Sequence, residues 1–456
     1  MDAIKKLEIR VQNQIKSALP LDSVKNEKAS VFDRLIGRVI SKPGRAETLF
    51  GEGEIFLIKA ALYLTGVSLE ESARENVGTV HKELLGVYQY DLNHGKKESV
   101  LPSELSLPHG FHVPINVNQN APFSLERAGG TLYLKVNGMR LFPVEYEPRP
   151  KFYGLNTSDD VPMRFLAQHR LGDELMVTYN TYCHTLKRGG QCRFCALNSN
   201  NAIIPKRNGF FIQKPRQIAE VAEAAYTEGV VRRLEITGGI LPNREEVDFI
   251  IETGKAVCER LGTKSVPGGH VLVAAPTDFS KIEALKEAGW EYVFFNLEVW
   301  NEHLFRGLCP GKESIVGRDT WLKALDYAVQ VFGPRNVRSI LIAGLEPFDS
   351  YFEGLKYLTE RGIYADPSPF MPMPGSPMEG QGSPTAQWHI NLLARTLDYW
   401  ESVGWDLREV AKDGWLSFND LARLRLSVRD FAASHSDADI TKDIRYRLAV
   451  EGTLDF

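Results

Sequence analysis

From about residue 172 the sequence alternates short apolar runs with amphipathic helical stretches, and this alternation constrains the fold more than any other feature. The runs 175–182, 231–237, 270–275, 291–300, 336–346 and 363–372 read as strands. Between them, 215–229, 244–262, 278–289, 317–333 and 349–362 carry apolar residues at helical spacing. The punctuation agrees: Pro215 opens a helix, Asp278 is placed to cap one, and Gly229 stands just past a helix end. A longer helix is expected near 384–403. Six strands separated by helices predict right-handed βα units around a parallel sheet. An open, incomplete barrel and a doubly wound sheet both accommodate six units, and in either the site belongs at the C-terminal strand ends. The fold class expected is α/β, a partial (β/α)6 TIM-like barrel over 166–400. An N-terminal α+β domain would occupy 1–165, and a C-terminal helical extension 401–456.

The N-terminal part has a different texture. Ile4, Leu7, Val11, Ile15 and Ala18 share one face of a helix that Pro20 ends. Helical periodicity returns at 54–65 and 69–86. Residues 131–146 alternate around Asn137-Gly138, and an Asn-Gly pair between alternating runs signals a hairpin because both turn positions need positive φ. No catalytic motif stands in this part. A net charge of −4 and a pI near 6.3 give no nucleic-acid footprint, so no nucleic-acid partner is expected. No run approaches 18 apolar residues and the N-terminus lacks the apolar core of a secretory signal. The expectation is a cytoplasmic chain without a membrane partner.

Five cysteines are present, at 183, 192, 195, 258 and 309, and three of them cluster just after the first strand of the series. An odd, clustered set argues against a disulfide framework and for a metal site in a reducing compartment. Three thiolates at Cys183, Cys192 and Cys195 can hold three corners of a cubane iron–sulfur cluster and leave one iron open. Gly189 and Gly190 let the intervening loop wrap closely, and Lys187 and Arg188 would offset thiolate charge. A structural zinc site with His184 as fourth ligand is the bland alternative. Such sites prefer two close cysteine pairs, and only one pair exists here, with His184 directly next to Cys183.

The segment Cys192-Arg193-Phe194-Cys195 resembles the Cys-x-aromatic-Cys half of the radical S-adenosylmethionine (radical SAM) motif. The first gap departs from the family pattern, with eight residues in place of three. Downstream segments resemble the family in order along the chain. Thr237-Gly238-Gly239 sits where members carry Gly-Gly-Glu, although Ile240 replaces the acid. Asn296-Leu297-Glu298 is similar to an Asn-Leu-acid segment of biotin-synthase-like members. The stretch 340–346, with Ile342, is similar to one that packs on adenine, and Pro369–Met378 resembles a Pro-rich segment of hydrogenase-maturation members.

The resemblance implies a [4Fe–4S] cluster on Cys183, Cys192 and Cys195. It implies contacts to S-adenosylmethionine from Phe194, Thr237, Gly238, Gly239, Asn296, Glu298 and Ile342. It further implies reductive cleavage of S-adenosylmethionine to a 5′-deoxyadenosyl radical acting on a small-molecule substrate, with flavodoxin or ferredoxin as reductant. Cys309 is a candidate hydrogen-atom donor or substrate ligand, against the plainer reading of a buried loop thiol. Cys258 falls at an apolar helix position and reads as core. Two leftover cysteines do not make a second cubane, and no Asp-x-His-x-x-Gly motif points to cobalamin. The competing function classes are a zinc-stabilised binding module and a non-catalytic iron–sulfur carrier.

Overall fold

The computed structural model describes residues 50–84, 100–170, 172–197, 212–373, 375–413 and 417–432. The amphipathic helix expected over the first 20 residues and the end of the C-terminal extension lie outside them. The chain divides into two compact units.

One unit takes in 50–83, Val100–Pro148 and the described residues from Ser383 onward. Its first helix, α1 (Glu52–Thr65), buries nearly all of its apolar residues, and Gly66 stops it at φ 77°. Six strands follow: β1 (Ser68–Leu69), β2 (Glu104–Leu107), β3 (Phe111–Pro114), β4 (Phe123–Ala128), β5 (Thr131–Val136) and β6 (Met139–Tyr146), in the order β1-β4-β5-β6-β2-β3. The expected hairpin is β5–β6: Asn137 at φ 48° and Gly138 at φ 82° form its turn, and Val136 pairs with Met139. The helix expected over 69–86 does not form in its described part. Only a 3₁₀ turn, Glu71–Arg74, is present, and isolated bridges follow at Val77, His81 and Glu83. The physical reason is local: Asn76 (φ 62°) and Gly78 (φ 82°) adopt left-handed backbone that no α-helix accommodates.

The other unit contains Arg149–Gly382. Its seven-stranded sheet runs in chain order: β7 (Gln168–Arg170), β8 (Glu174–Thr178), β9 (Arg233–Thr237), β10 (His270–Leu272), β11 (Tyr292–Phe294), β12 (Val337–Ile340) and β13 (Tyr364–Asp366). From β8 to β13 every neighbouring pair is parallel, whereas β7 adds an antiparallel edge that the sequence did not announce. The crossovers carry α2 (Pro215–Glu228), α3 (Glu246–Leu261), α4 (Ser280–Glu287), α5 (Glu302–Leu308), α6 (Pro310–Ile315), α7 (Arg318–Phe332) and α8 (Phe348–Glu360). A doubly wound sheet reverses its strand order at a switch point. Here the order never reverses, so the architecture is the curled, partial barrel. Gly229 and Gly262 end α2 and α3 in left-handed backbone, the first as the sequence punctuation foretold.

Side chains alternate between the two faces of each strand. Thr237, Leu272, Asn296 and Ile340 open on a cavity at the C-terminal strand ends, so Glu235, His270, Phe294 and Arg338 form the layer beneath it. Tyr364 pairs with Arg338 and joins that layer. The Arg338 guanidinium lies 4.9 Å from the ring centres of Tyr292 and Tyr364, and His270 stacks on Tyr292 at 4.5 Å. The barrel interior is therefore closed below the cavity by buried polar and aromatic groups. Three helices complete the first-described unit: α9 (Ala386–Ser402), α10 (Leu407–Asp413) and α11 (Ser417–Ala432). Lys59 of α1 pairs there with Asp420 of α11, both almost fully buried. No helix among the described residues is long and apolar enough to cross a membrane.

Candidate active site

β8 ends at Thr178, and the next residues turn the chain across the mouth of the sheet toward Cys183. Asn180 is the pivot. Its Oδ1 accepts from Gly239 N (3.0 Å) and Tyr182 N (3.1 Å), and its Nδ2 donates to the Gly239 carbonyl (2.9 Å). The Tyr179 hydroxyl donates to the same carbonyl at 2.9 Å, and His184 N donates to Ile240 O at 2.7 Å. The end of β9 is thus laid directly against the start of the cysteine loop. This approach requires glycine. A Cβ on Gly238 would sit 2.5 Å from the Tyr179 ring, and one on Gly239 2.1 Å from the Tyr182 carbonyl oxygen.

Beyond Cys183 a 3₁₀ turn, His184–Arg188, closes on Gly189 at φ 67°. The side chains of Lys187 and Arg188, expected to offset thiolate charge, lie outside the described residues. The rest of the loop is stitched to its surroundings by backbone bonds. Arg193 N donates to Leu308 O (2.8 Å), Gly311 N to Gly190 O (3.0 Å), and Met378 N to Arg193 O (3.1 Å). Gln191 Nε2 donates to Cys195 O at 2.7 Å.

These elements enclose a cavity of about 370 Å³ at the C-terminal end of the sheet, within the size range of small-molecule sites. The structure brings together on its wall Cys183, Cys192, Cys195, Phe194, Thr237, Gly238, Gly239, Asn296 and Glu298. Cys309 and Ile342 are not among the lining residues, whereas Ile340, two positions before Ile342, is. None of the cysteines is in a disulfide. Burial pushes the Cys195 thiol up to about 12, and the hydrogen bond with Cys309 together with burial holds Cys192 well above the ordinary thiol range. Both are therefore neutral thiols at pH 7 in the free chain, and binding iron must displace their protons. Three soft sulfur donors line the cavity beside backbone that only glycine fits, and thiolate sulfur is the donor chemistry a cubane cluster takes.

The zinc alternative fares differently. His184 lines a second cavity with Leu241, Arg244 and Ser314, not the thiol-lined one. Among the described residues no three Cys, His, Asp or Glu side chains converge as they would around a single metal ion.

Two polar groups were not singled out from sequence. Asn180 lay hidden inside a run read as strand. Lys312 lines the cavity and donates to Asn296 O (2.7 Å) and Glu298 Oε1 (2.6 Å). Although burial lowers it, Glu298 and the sulfurs of Cys192 and Cys309 hold its ammonium above the ordinary lysine range. Its signal is the run Cys309-Pro310-Gly311-Lys312, where a lysine stands three residues after a cysteine. Asn296 is also engaged, its Oδ1 accepting from Ile340 N at 3.1 Å.

No protein-family model matches the chain. A curated relative, bacteriochlorophyllide c C-7(1)-hydroxylase of Chlorobaculum limnaeum, is 27% identical over 238 residues, which are 50% of this chain. The match spans 59% of that relative's length. Similar solved structures include methylornithine synthase (PylB), 18% identical with a TM-score of 0.37 over 54% of this chain and 71% of that one. A radical SAM methyltransferase from Sphaerobacter thermophilus is 14% identical, TM-score 0.40, over 63% and 76% of the two chains. Coproporphyrinogen III oxidase (HemN) from Escherichia coli, described as a radical SAM enzyme, is 14% identical, TM-score 0.35, over 54% and 56%. The resemblance to radical SAM enzymes first drawn from the cysteine motif is borne out in these comparisons.

Proposed function

We propose that this chain is a radical SAM enzyme in which Cys183, Cys192 and Cys195 carry a [4Fe–4S] cluster. The observation that carries the reading is that all three thiols line one cavity together with the Gly238-Gly239 backbone at the end of β9. When bound there, the cluster and S-adenosylmethionine supply, from one added electron, methionine and a 5′-deoxyadenosyl radical for a hydrogen abstraction.

The chain's own residues supply the setting. Three cysteines leave one iron of a cubane without a protein ligand, the position at which the amino and carboxylate groups of S-adenosylmethionine would bind. With Ile240 in place of an acid, the contact to the amino group falls to the backbone of Thr237–Gly239. Phe194 closes the wall between Cys192 and Cys195. Thr237 and Asn296 stand on the strand side of the cavity, Asn296 with its amide nitrogen left to meet the ribose. The polar and aromatic layer at Arg338 seals the barrel from below, and a sealed site protects a radical from solvent quenching. The curated relative hydroxylates a bacteriochlorophyllide by name. For this chain the corresponding reading is a small-molecule substrate. A flavodoxin or ferredoxin would deliver the electron in a reducing, cytoplasmic setting.

Metal analysis tests the assignment. After anaerobic purification and reconstitution, the reading expects about four irons and four sulfides per chain. It expects that content to collapse in Cys183→Ala, Cys192→Ala and Cys195→Ala but to persist in Cys258→Ala. A chain that holds zinc and no iron under these conditions would overturn it.

A further inference from the structure

Among the described residues Lys312 is the one lysine on the cavity wall, and its surroundings are unusual for a lysine. Its side chain is 13% exposed. The ammonium donates to a main-chain carbonyl, Asn296 O, and to a carboxylate, Glu298 Oε1, and lies 4.8 Å from the centre of the Trp321 ring. Trp321 is itself fully buried and fixed by its indole N–H donating to Phe295 O at 3.1 Å. A carbonyl, a carboxylate and a π face therefore define the position of the charge. Glu298 is held as firmly: its backbone is at φ 70°, and its N–H donates to Ile340 O at 2.8 Å. The sulfurs of Cys192 and Cys309 lie close enough to the ammonium to act on it.

The segment that bears Lys312 also grips the cysteine loop. Leu308 O receives Arg193 N, and Gly311 N donates to Gly190 O. The two glycines pack backbone to backbone: a Cβ on Gly311 would fall 2.4 Å from Gly190 O, and one on Gly190 2.9 Å from Gly311 Cα. Lys312 consequently moves with the loop that carries Cys192, at a fixed place beside it.

We infer that the Glu298–Lys312 pair is a charge-positioning device that sets how readily a cluster on Cys192 accepts an electron. The inference rests on the cluster assignment above. An electron added to a thiolate-ligated cluster is added negative charge. A cation fixed beside the Cys192 ligand favours it and an anion opposes it, with little screening in a buried site. Removing either member of the pair leaves the other charge alone. The two single substitutions must then move the reduction equilibrium in opposite directions. A purely structural ion pair has no such sign: losing either half would loosen the loop in the same way.

The test is redox titration of the cluster-loaded full chain, free of S-adenosylmethionine, with dithionite and mediator dyes, read by the electron paramagnetic resonance signal of the reduced cluster. Lys312→Met should disfavour reduction by roughly tenfold, about 59 mV downward for a one-electron couple. Glu298→Gln should shift it upward, and Lys312→Arg should stay near the wild type. Unchanged potentials, or shifts of the same sign in Lys312→Met and Glu298→Gln, overturn the inference. Glu298→Gln keeps the test decisive if Lys312→Met fails to fold or load. A wild-type chain that takes up no iron refutes the cluster assignment instead, and this inference with it.

Discussion

Gly239→Ala is the smallest change that separates close backbone packing from mere turn-making at this site. The added Cβ would stand 2.1 Å from the Tyr182 carbonyl oxygen, 2.7 Å from its carbonyl carbon and 2.8 Å from Cys183 Cα. An ordinary contact begins at 3.4 Å, so the backbone at Tyr182–Cys183 must retreat by about 1 Å, the usual reach of a van der Waals overlap. No flexible side chain is available to yield, because all three atoms are main chain. The retreat also opposes Asn180, which ties Tyr182 N and both the N–H and carbonyl of Gly239 through one amide. Overpacking of a closed site typically costs about 1–3 kcal/mol, and a forced backbone shift belongs at the upper end. The same displacement moves Cys183 away from Cys192 and Cys195. Two measurements follow: the urea midpoint of the apo chain, and iron per chain after reconstitution. Both should fall in Gly239→Ala. Gly307→Ala is the control, since Gly307 lies in α5 with nothing within 4 Å of its Cβ position. It should stabilise the chain by up to about 1 kcal/mol, because alanine is the better helix former. A Gly239→Ala chain as stable and as iron-rich as the wild type would refute the close-packing argument.

Substitutions at two further positions probe the frame. Burial pushes the Asp366 carboxyl up to about 6, above its ordinary 3.8, despite the opposing effects of Arg338 and the Ser368 hydroxyl. The folded chain therefore binds a proton more readily than the unfolded one between these values. Stability falls as pH rises through that window, by roughly 3 kcal/mol at most, and the penalty is full above it. Asp366→Asn should remove this part of the slope in denaturation midpoints between pH 4 and 7, and an unchanged slope would refute the assignment. Glu346, fully buried, accepts from Trp300 N (2.8 Å), Asn301 N (3.0 Å) and Ser350 Oγ (2.6 Å). Glu346→Ala strands these donors and should destabilise the chain by about 2–4 kcal/mol. Glu346→Gln should lose less, because its amide oxygen still accepts, and equal losses in equilibrium unfolding would contradict that explanation.

How much of this was legible beforehand depended on how locally each feature is determined. The β5–β6 hairpin was, because two adjacent residues, Asn137 and Gly138, fix its turn. The six parallel strands were, because each apolar run is bounded by a helix with its own start and stop residues. Their order, and hence the choice of barrel over doubly wound sheet, depends on pairing between distant strands and became visible only in the fold. The helix expected over 69–86 failed because apolar spacing carries no information about the left-handed backbone at Asn76 and Gly78. The short edge strand β7 was illegible because Gln-His-Arg has no strand-like pattern. At the site, Cys192 and Cys195 announce themselves by spacing. The contact between Cys309 and Cys192, and the pairing of Lys312 with Glu298, join segments that the sequence gives no reason to connect. Gly238 and Gly239 were legible as a family likeness, but the steric need for them came from Tyr179 and Tyr182.

The central claim is that the thiol-lined cavity supports turnover and does more than store a cluster. Anaerobic incubation of the reconstituted chain with S-adenosylmethionine and dithionite, followed by chromatography for 5′-deoxyadenosine, tests it directly. The account predicts 5′-deoxyadenosine and methionine in equal amounts, abolished in the Cys183→Ala/Cys192→Ala/Cys195→Ala chain. An iron-loaded wild-type chain that yields no 5′-deoxyadenosine above that variant would contradict it and leave an iron–sulfur carrier in its place.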